Sequence, residues 1–337
     1  MAVAESPPRG EDSSGAAVRF VLGLHIHQPS GNFDHVFQEH VDRVYRPTLA
    51  FCEERELTPL ALHVSGPLLE WLEDHDRALH DRIGRLAVDG QVELLSAGFY
   101  EPILAALDPE DRAQHLAWMA EYLASRFGVT ARSAWLTERV YESELVGDLA
   151  AAGVENLLVD DWHLLAAGVP EARLHEMFRT EGAGREINLL PIHEKLRYLV
   201  PFQPAEAVDA YFRDLRARGT AMAILADDGE KFGGWPGTFR RVWEEGWFAA
   251  FADALVQLRD EDVIRFVTPQ ALVDELGTQG LAYPPSSSYR EMGEWALLPE
   301  LVGSAHPFDG APWRNFFLRY SESNALHKKA RVLSRLC

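Results

Sequence analysis

Two histidines separated by one residue, His25 and His27, stand in the stretch LHIHQP, directly after the apolar run VRFVLG. Imidazole nitrogens at this spacing can bind a metal ion, which would activate water for hydrolysis. The same nitrogens can instead form hydrogen bonds with the hydroxyl groups of a sugar. The spacing alone leaves both chemistries open.

Carboxyl groups offer a second, metal-free route to hydrolysis. Glu138 follows the stretch SAWLT, and Asp228 lies in DDGEKFGGWPGTF after the apolar run AMAILA. Two carboxyl groups that flank a glycosidic bond can cleave it, one as nucleophile and the other as general acid/base. Aromatic side chains close to these stretches offer flat apolar faces for sugar rings: Phe99, Tyr100, Trp135, Trp162 and Trp235.

The metal-dependent alternative is hydrolysis or deacetylation at the His-x-His pair. It needs further ligands from later parts of the chain, because catalytic metal sites commonly use three protein ligands and one open position. His63, His163 and His193 are the candidates. The sequence therefore allows this chemistry beside the two-carboxylate mechanism.

Short apolar runs alternate with segments of helical period, and the polar groups described above stand where the apolar runs end. Strands that alternate with helices form parallel βαβ units, and seven or eight units favour a closed or nearly closed barrel. The run 186–192 is compatible with an excursion from the barrel as well as with a barrel strand. Because the carboxyl ends of barrel strands meet on one face, we expect the polar groups to share a pocket. The predicted strands cover residues 18–24, 57–64, 91–98, 133–137, 155–160, 186–192, 220–226 and 263–268, with helical patterns at 66–87, 109–128, 238–260 and 313–336.

The overall composition limits the partners of the protein. Its 52 acidic and 32 basic residues give a formal net charge of −20. Such a surface disfavours phosphate backbones and anionic lipids, so we predict neither a nucleic-acid nor a membrane partner. Two cysteines, Cys52 and Cys337, make no disulfide framework. This cysteine usage and the lack of a signal peptide predict a cytoplasmic enzyme.

A series of ordered motifs resembles glycoside hydrolase family 57, and most closely its 4-α-glucanotransferase branch. The resemblance implies an α/β fold, an incomplete (β/α)7 barrel over residues 18–280 followed by the start of a C-terminal helical region over 281–337. Residues 1–17 are expected to form a disordered leader. The two-carboxylate mechanism of this family requires no metal or other cofactor. The motifs lie at residues 24–37, 63–72, 90–102, 135–142, 159–163, 194–202, 227–239 and 289–299.

The resemblance also implies roles for single residues. Glu138, within WLTERVYE, matches the nucleophile of the family. Asp228 starts the Asp-x-Glu-x-Phe-Gly pattern, which makes it the match for the general acid/base. The residues expected to bind the substrate are His25, His27, Glu93, Tyr100, Trp135, Glu230 and Trp235.

We therefore expect a retaining enzyme that cleaves α-1,4-glucosidic bonds in an α-glucan or maltooligosaccharide, first of all a 4-α-glucanotransferase. An α-amylase-type hydrolase is the alternative, since the two activities differ only in the acceptor. Family relatives are longer at the C-terminal end, so a catalytically weak glucan-binding protein is a further alternative. Ser143 and His193 depart from the family pattern without affecting the catalytic pair. The sequence sets no oligomeric state.

Overall fold

The computed structural model describes residues 15–297 and 312–336, and these form a mixed α/β fold. Most of the leader expected at 1–17 therefore lies outside the described residues. The strands are β1 (Val18–Ile26), β2 (Leu60–Val64), β3 (Val92–Leu94), β4 (Ser133–Ala134), β5 (Asn156–Asp160), β6 (Phe178–Gly182), β7 (Arg185–Ile192), β8 (Met222–Asp228) and β9 (Ile264–Phe266).

Helices separate most of the strands. The helices are α1 (Asp34–His40), α2 (Arg46–Glu54), α3 (Gly66–His75), α4 (Arg77–Val88), α5 (Pro109–Phe127), α6 (Leu145–Ala151), α7 (Asp161–Ala166), α8 (Glu194–Leu199), α9 (Ala205–Ala217), α10 (Trp247–Asp260), α11 (Pro269–Leu276), α12 (Arg290–Trp295), α13 (Asn315–Arg319) and α14 (Ser321–Ser334). No described helix combines the length and the apolar character that crossing a membrane requires.

The described strands form two ladders. In the first, β3, β2, β1 and β8 lie side by side in parallel, and β9 pairs with the beginning of β1. The second has the order β4, β5, β7, β6, and only β6 runs antiparallel. A parallel bridge between Ser96 and Ala134 links the two ladders, and the His193 N–H donates to the Ile224 carbonyl over 2.9 Å. The α/β class expected from the sequence is confirmed, whereas the structure shows two ladders rather than one closed ladder.

All of the predicted strands are present in the described residues, and β6 is an additional one. Its side chains alternate between buried and exposed, which is typical of a strand with one face on the core. It forms a hairpin with β7 through Ala183 and Gly184, both of which have positive φ. The run 186–192, which the sequence left ambiguous, is a paired strand, because β7 also lies in parallel with β5.

The long helical patterns are interrupted where the chain needs a turn. The pattern at 66–87 is two helices, because Asp76 ends α3 and caps α4 by accepting the Leu79 N–H over 3.2 Å. The pattern at 238–260 begins as a π-helical turn over Arg240–Glu244 and continues as α10. Gly246, with φ of 77°, separates the two. A helical period alone does not show such breaks.

Strand β1 lies at the centre of the first ladder and sets the level of the site. Its register places His25 opposite His63 on β2 and opposite Asp228 on β8. The close contact of β1 with β8 requires a glycine, because a Cβ at Gly23 would lie 2.7 Å from the Ala226 Cβ. The three polar side chains therefore meet at the carboxyl ends of neighbouring parallel strands, as the sequence predicts.

Candidate active site

A cavity of about 350 Å³ opens at the carboxyl ends of the strands. Strand β1 brings His25 to it, β8 brings Asp227 and Asp228, and the chain after β4 brings Glu138. The cavity is lined by His25, His27, Glu101, Trp135, Thr137, Glu138, Arg139, Arg197, Tyr198, Phe202, Asp227, Asp228, Lys231, Trp235, Tyr289, Glu291 and Trp295. It combines carboxyl groups, imidazoles and aromatic rings in one space.

Glu138 lies in a short turn, Thr137–Arg139, that directly follows β4. Glu138 has φ of 54° and Arg139 has φ of 45°, a left-handed backbone that is unfavourable for residues other than glycine. Contacts from a distant segment hold this turn: the Ser288 hydroxyl donates to the Glu138 carbonyl, and the Tyr289 hydroxyl donates to the Glu138 carboxylate, each over 2.5 Å. Burial and the Glu138 charge raise the pKa of Tyr289 well above its usual value, so its hydroxyl stays a donor. The carboxylate is thus fixed in position at the cavity.

Asp227 and Asp228, the last two residues of β8, have opposite environments. The buried Asp227 carboxylate accepts from Lys231 and, over 3.2 Å, from Arg197, and it lies 3.6 Å from Arg139. Burial by itself would raise the pKa of Asp227, but these three cations lower it to about 2. Burial and the charge of Asp227 raise the pKa of Asp228 to about 6. One carboxyl is therefore ionised and paired, and its neighbour can carry a proton.

His25 belongs to a cluster beneath the cavity. Its Nδ1 lies 2.7 Å from the Nδ1 of His63, and its ring stacks on Trp135 with 4.8 Å between centroids. A carboxylate oxygen of Glu101 lies 3.6 Å from His25 Nε2 and 3.4 Å from His63 Nδ1. Burial lowers the pKa of both histidines, that of His63 to about 3. Both imidazoles are therefore neutral near pH 7.

His27 is held separately, by Glu230. The Glu230 carboxylate accepts the His27 backbone N–H over 3.0 Å and the Tyr45 hydroxyl over 2.5 Å, and it lies 3.6 Å from His27 Nδ1. Burial would lower the pKa of His27, but the Glu230 carboxylate outweighs it and raises the pKa to about 9. The His27 side chain is 39% exposed and lines the cavity, whereas Glu230 lies behind it. The His-x-His pair therefore presents one neutral and one cationic imidazole.

The His-x-His pair does not form a joint metal site in this arrangement. Within residues 15–297 and 312–336, the donor atoms at a spacing suited to a metal ion belong to His25, His63 and Glu101, all within 4.8 Å of one another. The two ring nitrogens of His163 instead lie 3.0 and 2.9 Å from backbone carbonyl oxygens, and His193 stacks on His175. Metal-dependent chemistry would thus use a glutamate that the sequence did not suggest.

Besides Glu230, which lies behind His27, two further predicted substrate-binding residues, Glu93 and Tyr100, do not line this cavity. Glu93 pairs in register with Ala61, two residues before His63 on β2, so it lies deeper along the strand direction. Its carboxylate accepts hydrogen bonds from the Ser133 hydroxyl and, over 2.9 Å, from the Gln270 backbone N–H. Tyr100, 45% exposed, lines a separate surface hollow with Trp118. The structure therefore places neither residue beside Glu138.

Trp135 and Trp235, the two tryptophans that the sequence predicts to bind the substrate, do line the cavity. Trp135 is buried, and the Arg139 guanidinium lies 5.4 Å from its ring centroid. Trp235 is 38% exposed and lies beside Phe202, with 6.3 Å between ring centroids and 27° between planes. An indole exposed at the rim of a cavity offers a flat apolar surface to a ligand.

Several residues of the cavity were missed by reasoning from the sequence. The important ones lie within motif stretches that the sequence did single out: Glu101 in 90–102, Arg197 in 194–202, and Tyr289 and Glu291 in 289–299. The motifs thus marked the segments correctly. They gave no sign of which side chain in each segment faces the cavity.

Comparison with known proteins shows the family to which the chain belongs. The model of glycosyl hydrolase family 57 matches residues 21–285, and the chain belongs to this family. It is 39% identical over 336 residues to a 4-alpha-glucanotransferase of Thermococcus litoralis, covering 94% of this chain and 50% of that protein. It is also 39% identical over 340 residues to an alpha-amylase of Pyrococcus furiosus, covering 96% of this chain and 52% of that protein.

A solved structure gives the same relationship. The crystal structure of the 4-alpha-glucanotransferase from Thermococcus litoralis matches with a TM-score of 0.87 and 38% sequence identity. The match covers 95% of this chain and 53% of that chain. The present chain thus spans about half the length of the relatives that it matches.

Proposed function

We propose that this chain carries the catalytic pair of a retaining, α-glucan-active enzyme, first of all a 4-α-glucanotransferase. The observation that carries the proposal is the contrast between two carboxyl groups in one cavity. Glu138 is held by the Tyr289 hydroxyl, and Asp228 has a pKa raised to about 6 by burial and by Asp227. A fixed carboxylate beside a protonatable carboxyl group is what double displacement at a glycosidic bond requires.

The reaction then has two steps. In the first, Glu138 attacks the anomeric carbon while Asp228 gives its proton to the departing glycosidic oxygen, which leaves a glucosyl ester on Glu138. In the second, the Asp228 carboxylate removes a proton from an acceptor hydroxyl, and this oxygen attacks the same carbon and releases Glu138. A glucan hydroxyl as acceptor gives transfer, and water gives hydrolysis. Retention of configuration requires a separation of roughly 5–5.5 Å between the two carboxyl groups.

Substrate contacts are assigned to the residues that line the cavity. Trp135 and Trp235 offer ring faces to glucose units, and His25 and His27 offer imidazole groups to sugar hydroxyls. Glu230 acts through His27, because it lies behind that residue and holds its backbone N–H. This assignment suits the charge of the chain, since a neutral sugar is not repelled by an acidic surface.

We further propose that the two ladders together form an incomplete (β/α)7 barrel over residues 18–280, with a helical region from 281. The bridge between Ser96 and Ala134 continues the strand order from β3 to β4. The hydrogen bond from His193 to Ile224 continues it from β7 to β8. Helices α12, α13 and α14 follow in the proposed helical region.

Product analysis with maltooligosaccharides tests the proposal. A ladder of glucans longer than the substrate indicates a glucanotransferase, and only shorter sugars indicate an α-amylase-type hydrolase. The second candidate rests on the relatives named alpha-amylase. Saccharide binding without any turnover would instead indicate a weak glucan-binding protein, and it would overturn the enzymatic proposal.

The variant Glu138→Gln separates the nucleophile from a bystander. It keeps the size of the side chain but removes the charge that attacks the sugar, so turnover is expected to fall by about 10³-fold or more. Glu121→Gln makes the same chemical change on an exposed position of α5 and is expected to leave turnover unchanged. Comparable turnover in Glu138→Gln and the wild type would remove Glu138 from the mechanism.

A further inference from the structure

A second hollow, of about 320 Å³, adjoins the cavity at Trp235. Trp235 is the residue that the linings of the two spaces have in common. The hollow lies between α1 and the π-helical turn Val41–Tyr45 on one side and the loop 233–239 on the other. A ligand that leaves the cavity across the exposed edge of Trp235 therefore enters this hollow.

The loop holds Trp235 firmly between the two spaces. The Trp235 backbone N–H donates to the Glu230 carbonyl over 3.0 Å, and the Trp235 carbonyl accepts the Thr238 N–H over 3.1 Å and the Thr238 hydroxyl over 2.8 Å. Gly234 packs closely against α1, because a Cβ there would lie 3.2 Å from His40 Cδ2. The indole is thus in position before a ligand arrives, which reduces the entropy that is lost on binding.

The hollow also carries a pair of opposite charges, Arg43 and Glu39. Arg43 Nη1 lies 2.5 Å from Glu39 Oε1, and the guanidinium carbon lies 4.2 Å from the Phe239 ring centroid. Glu39 takes up one of the five N–H groups of the guanidinium, and both side chains remain about half exposed. Further donors on Arg43 and further acceptor sites on Glu39 therefore stand side by side at the hollow.

This chemistry suits a neutral ligand that is rich in hydroxyl groups. The charge of Glu39 balances that of Arg43, and the chain as a whole has a net charge of −20, so the pair presents no net positive charge to a phosphate or another anion. A guanidinium and a carboxylate can instead bind neighbouring sugar hydroxyls, one as donor and the other as acceptor. The rings of Trp235 and Phe239 add apolar surface for the face of a sugar.

We propose that this hollow is a further subsite for the glucan chain, in which a glucose unit that lies outside the cavity binds to Arg43 and Glu39 after the chain has passed over Trp235. The proposal rests on the α-glucan function proposed above, and it adds a preference for longer maltooligosaccharides. A glucan is a polymer, so a cavity of about 350 Å³ encloses only the glucose units near the bond that is cleaved. The outer units must bind elsewhere, and the hollow adjoins the cavity directly.

Binding of short and long saccharides to protein that carries Glu138→Gln tests the subsite. Arg43→Ala is expected to weaken maltoheptaose binding about 5-fold more than maltotriose binding, the effect of one partly exposed hydrogen bond. Arg55→Ala on α2 is the matched control, because Arg55 also pairs with an exposed carboxylate, Asp253, and lies 5.2 Å from the centroid of a ring, that of Phe51. It should leave the ratio of the two affinities unchanged. Equal losses for the two saccharides in Arg43→Ala, or no loss for either, would overturn the proposal.

Competition by inorganic phosphate distinguishes a sugar subsite from an anion site. Sodium phosphate should reduce maltoheptaose binding no more than sodium chloride of equal ionic strength does, because the Arg43–Glu39 pair has no net charge. Competition by phosphate that Arg43→Ala abolishes would assign the hollow to an anion and overturn the proposal. Both arginines are exposed, so each replacement is expected to leave the Tm nearly unchanged.

The outcomes separate this inference from the proposed function. In protein with an intact Glu138, the ratio of kcat/KM for maltoheptaose to that for maltotriose should fall about 5-fold in Arg43→Ala and stay constant in Arg55→Ala. A loss of binding confined to the longer saccharide, in a protein without turnover, would support the subsite and refute the enzymatic proposal. Turnover of glucan with the same ratio in Arg43→Ala and the wild type would support the enzyme and overturn the subsite.

Discussion

Replacement of Asp227 by asparagine should change the pH dependence of catalysis while both residues of the proposed catalytic pair, Glu138 and Asp228, stay unchanged. Asp228 must be protonated to act as the acid, so kcat/KM should fall about tenfold per pH unit above its pKa of about 6. The negative charge of Asp227 is, after burial, the largest cause of this raised pKa. Asp227→Asn removes it and leaves the cations Lys231, Arg197 and Arg139 in place. Both effects lower the pKa of Asp228.

The size of the effect follows from the raised pKa. Asp228 stands about 2 pH units above its ordinary value of 3.8, equivalent to about 3 kcal/mol of preference for the neutral acid. Burial, the largest cause of the raised pKa, remains in the variant. The alkaline limb of the kcat/KM profile should therefore move down by roughly 1 pH unit. At pH 6.5 this corresponds to a loss of about 5- to 10-fold in kcat/KM, with a much smaller loss at pH 4.5.

The assay is the profile of kcat/KM for a maltooligosaccharide between pH 4 and pH 8. Asp253→Asn, a neutralised aspartate on the exposed side of α10, should leave the limb in place. Circular dichroism checks that the buried replacement folds. Glu230→Gln provides a second test, because the charge of Glu230 also raises the pKa of Asp228 and its removal should move the limb the same way. A limb that stays at pH 6 in both variants, or moves upward, would refute the reasoning.

Three further outcomes are expected. Trp235→Ala should raise KM for maltooligosaccharides by about 3- to 10-fold with a smaller change in kcat, because a sugar loses its ring surface; Phe33→Ala, an exposed aromatic residue outside the cavity lining, serves as the control. Exhaustive dialysis against a chelator should leave turnover unchanged, and a loss that zinc restores would favour metal chemistry at the cavity instead. Gly23→Ala should destabilise the protein by about 1–3 kcal/mol, seen as a lower Tm, because the new Cβ would overlap Ala226. Gly15→Ala, whose Cβ meets open space, should leave Tm nearly unchanged.

The ends of the strands could be predicted from the sequence because a polar residue after an apolar run marks the point where the chain leaves the core. This argument placed His25, Glu138 and the aspartate pair 227–228 at one end of the fold, and the structure brings them to one cavity. The argument holds for parallel strands, since their carboxyl ends share an edge. It depends only on local patterns, which a single sequence displays.

The direction of individual side chains could not be predicted in the same way. Glu93 and Glu101 lie in one motif stretch, yet only Glu101 reaches the cavity. Strand β3 ends at Leu94, and the chain then turns several times before Glu101, so no strand alternation carries over from one glutamate to the other. The difference between Asp227 and Asp228 likewise depends on Arg197, which comes from a distant helix.

The contacts of Ser288 and Tyr289 with Glu138 affect where along the chain a shortened form of the protein can end. The family match ends at residue 285, a natural place to cut the gene when a minimal protein is wanted. Such a protein would lose both hydroxyl groups that fix the Glu138 turn, together with Trp295 from the cavity wall. It could retain its sheets and still hold Glu138, the proposed nucleophile, in the wrong place. A shortened form of this protein should therefore be cut no earlier than the end of α12.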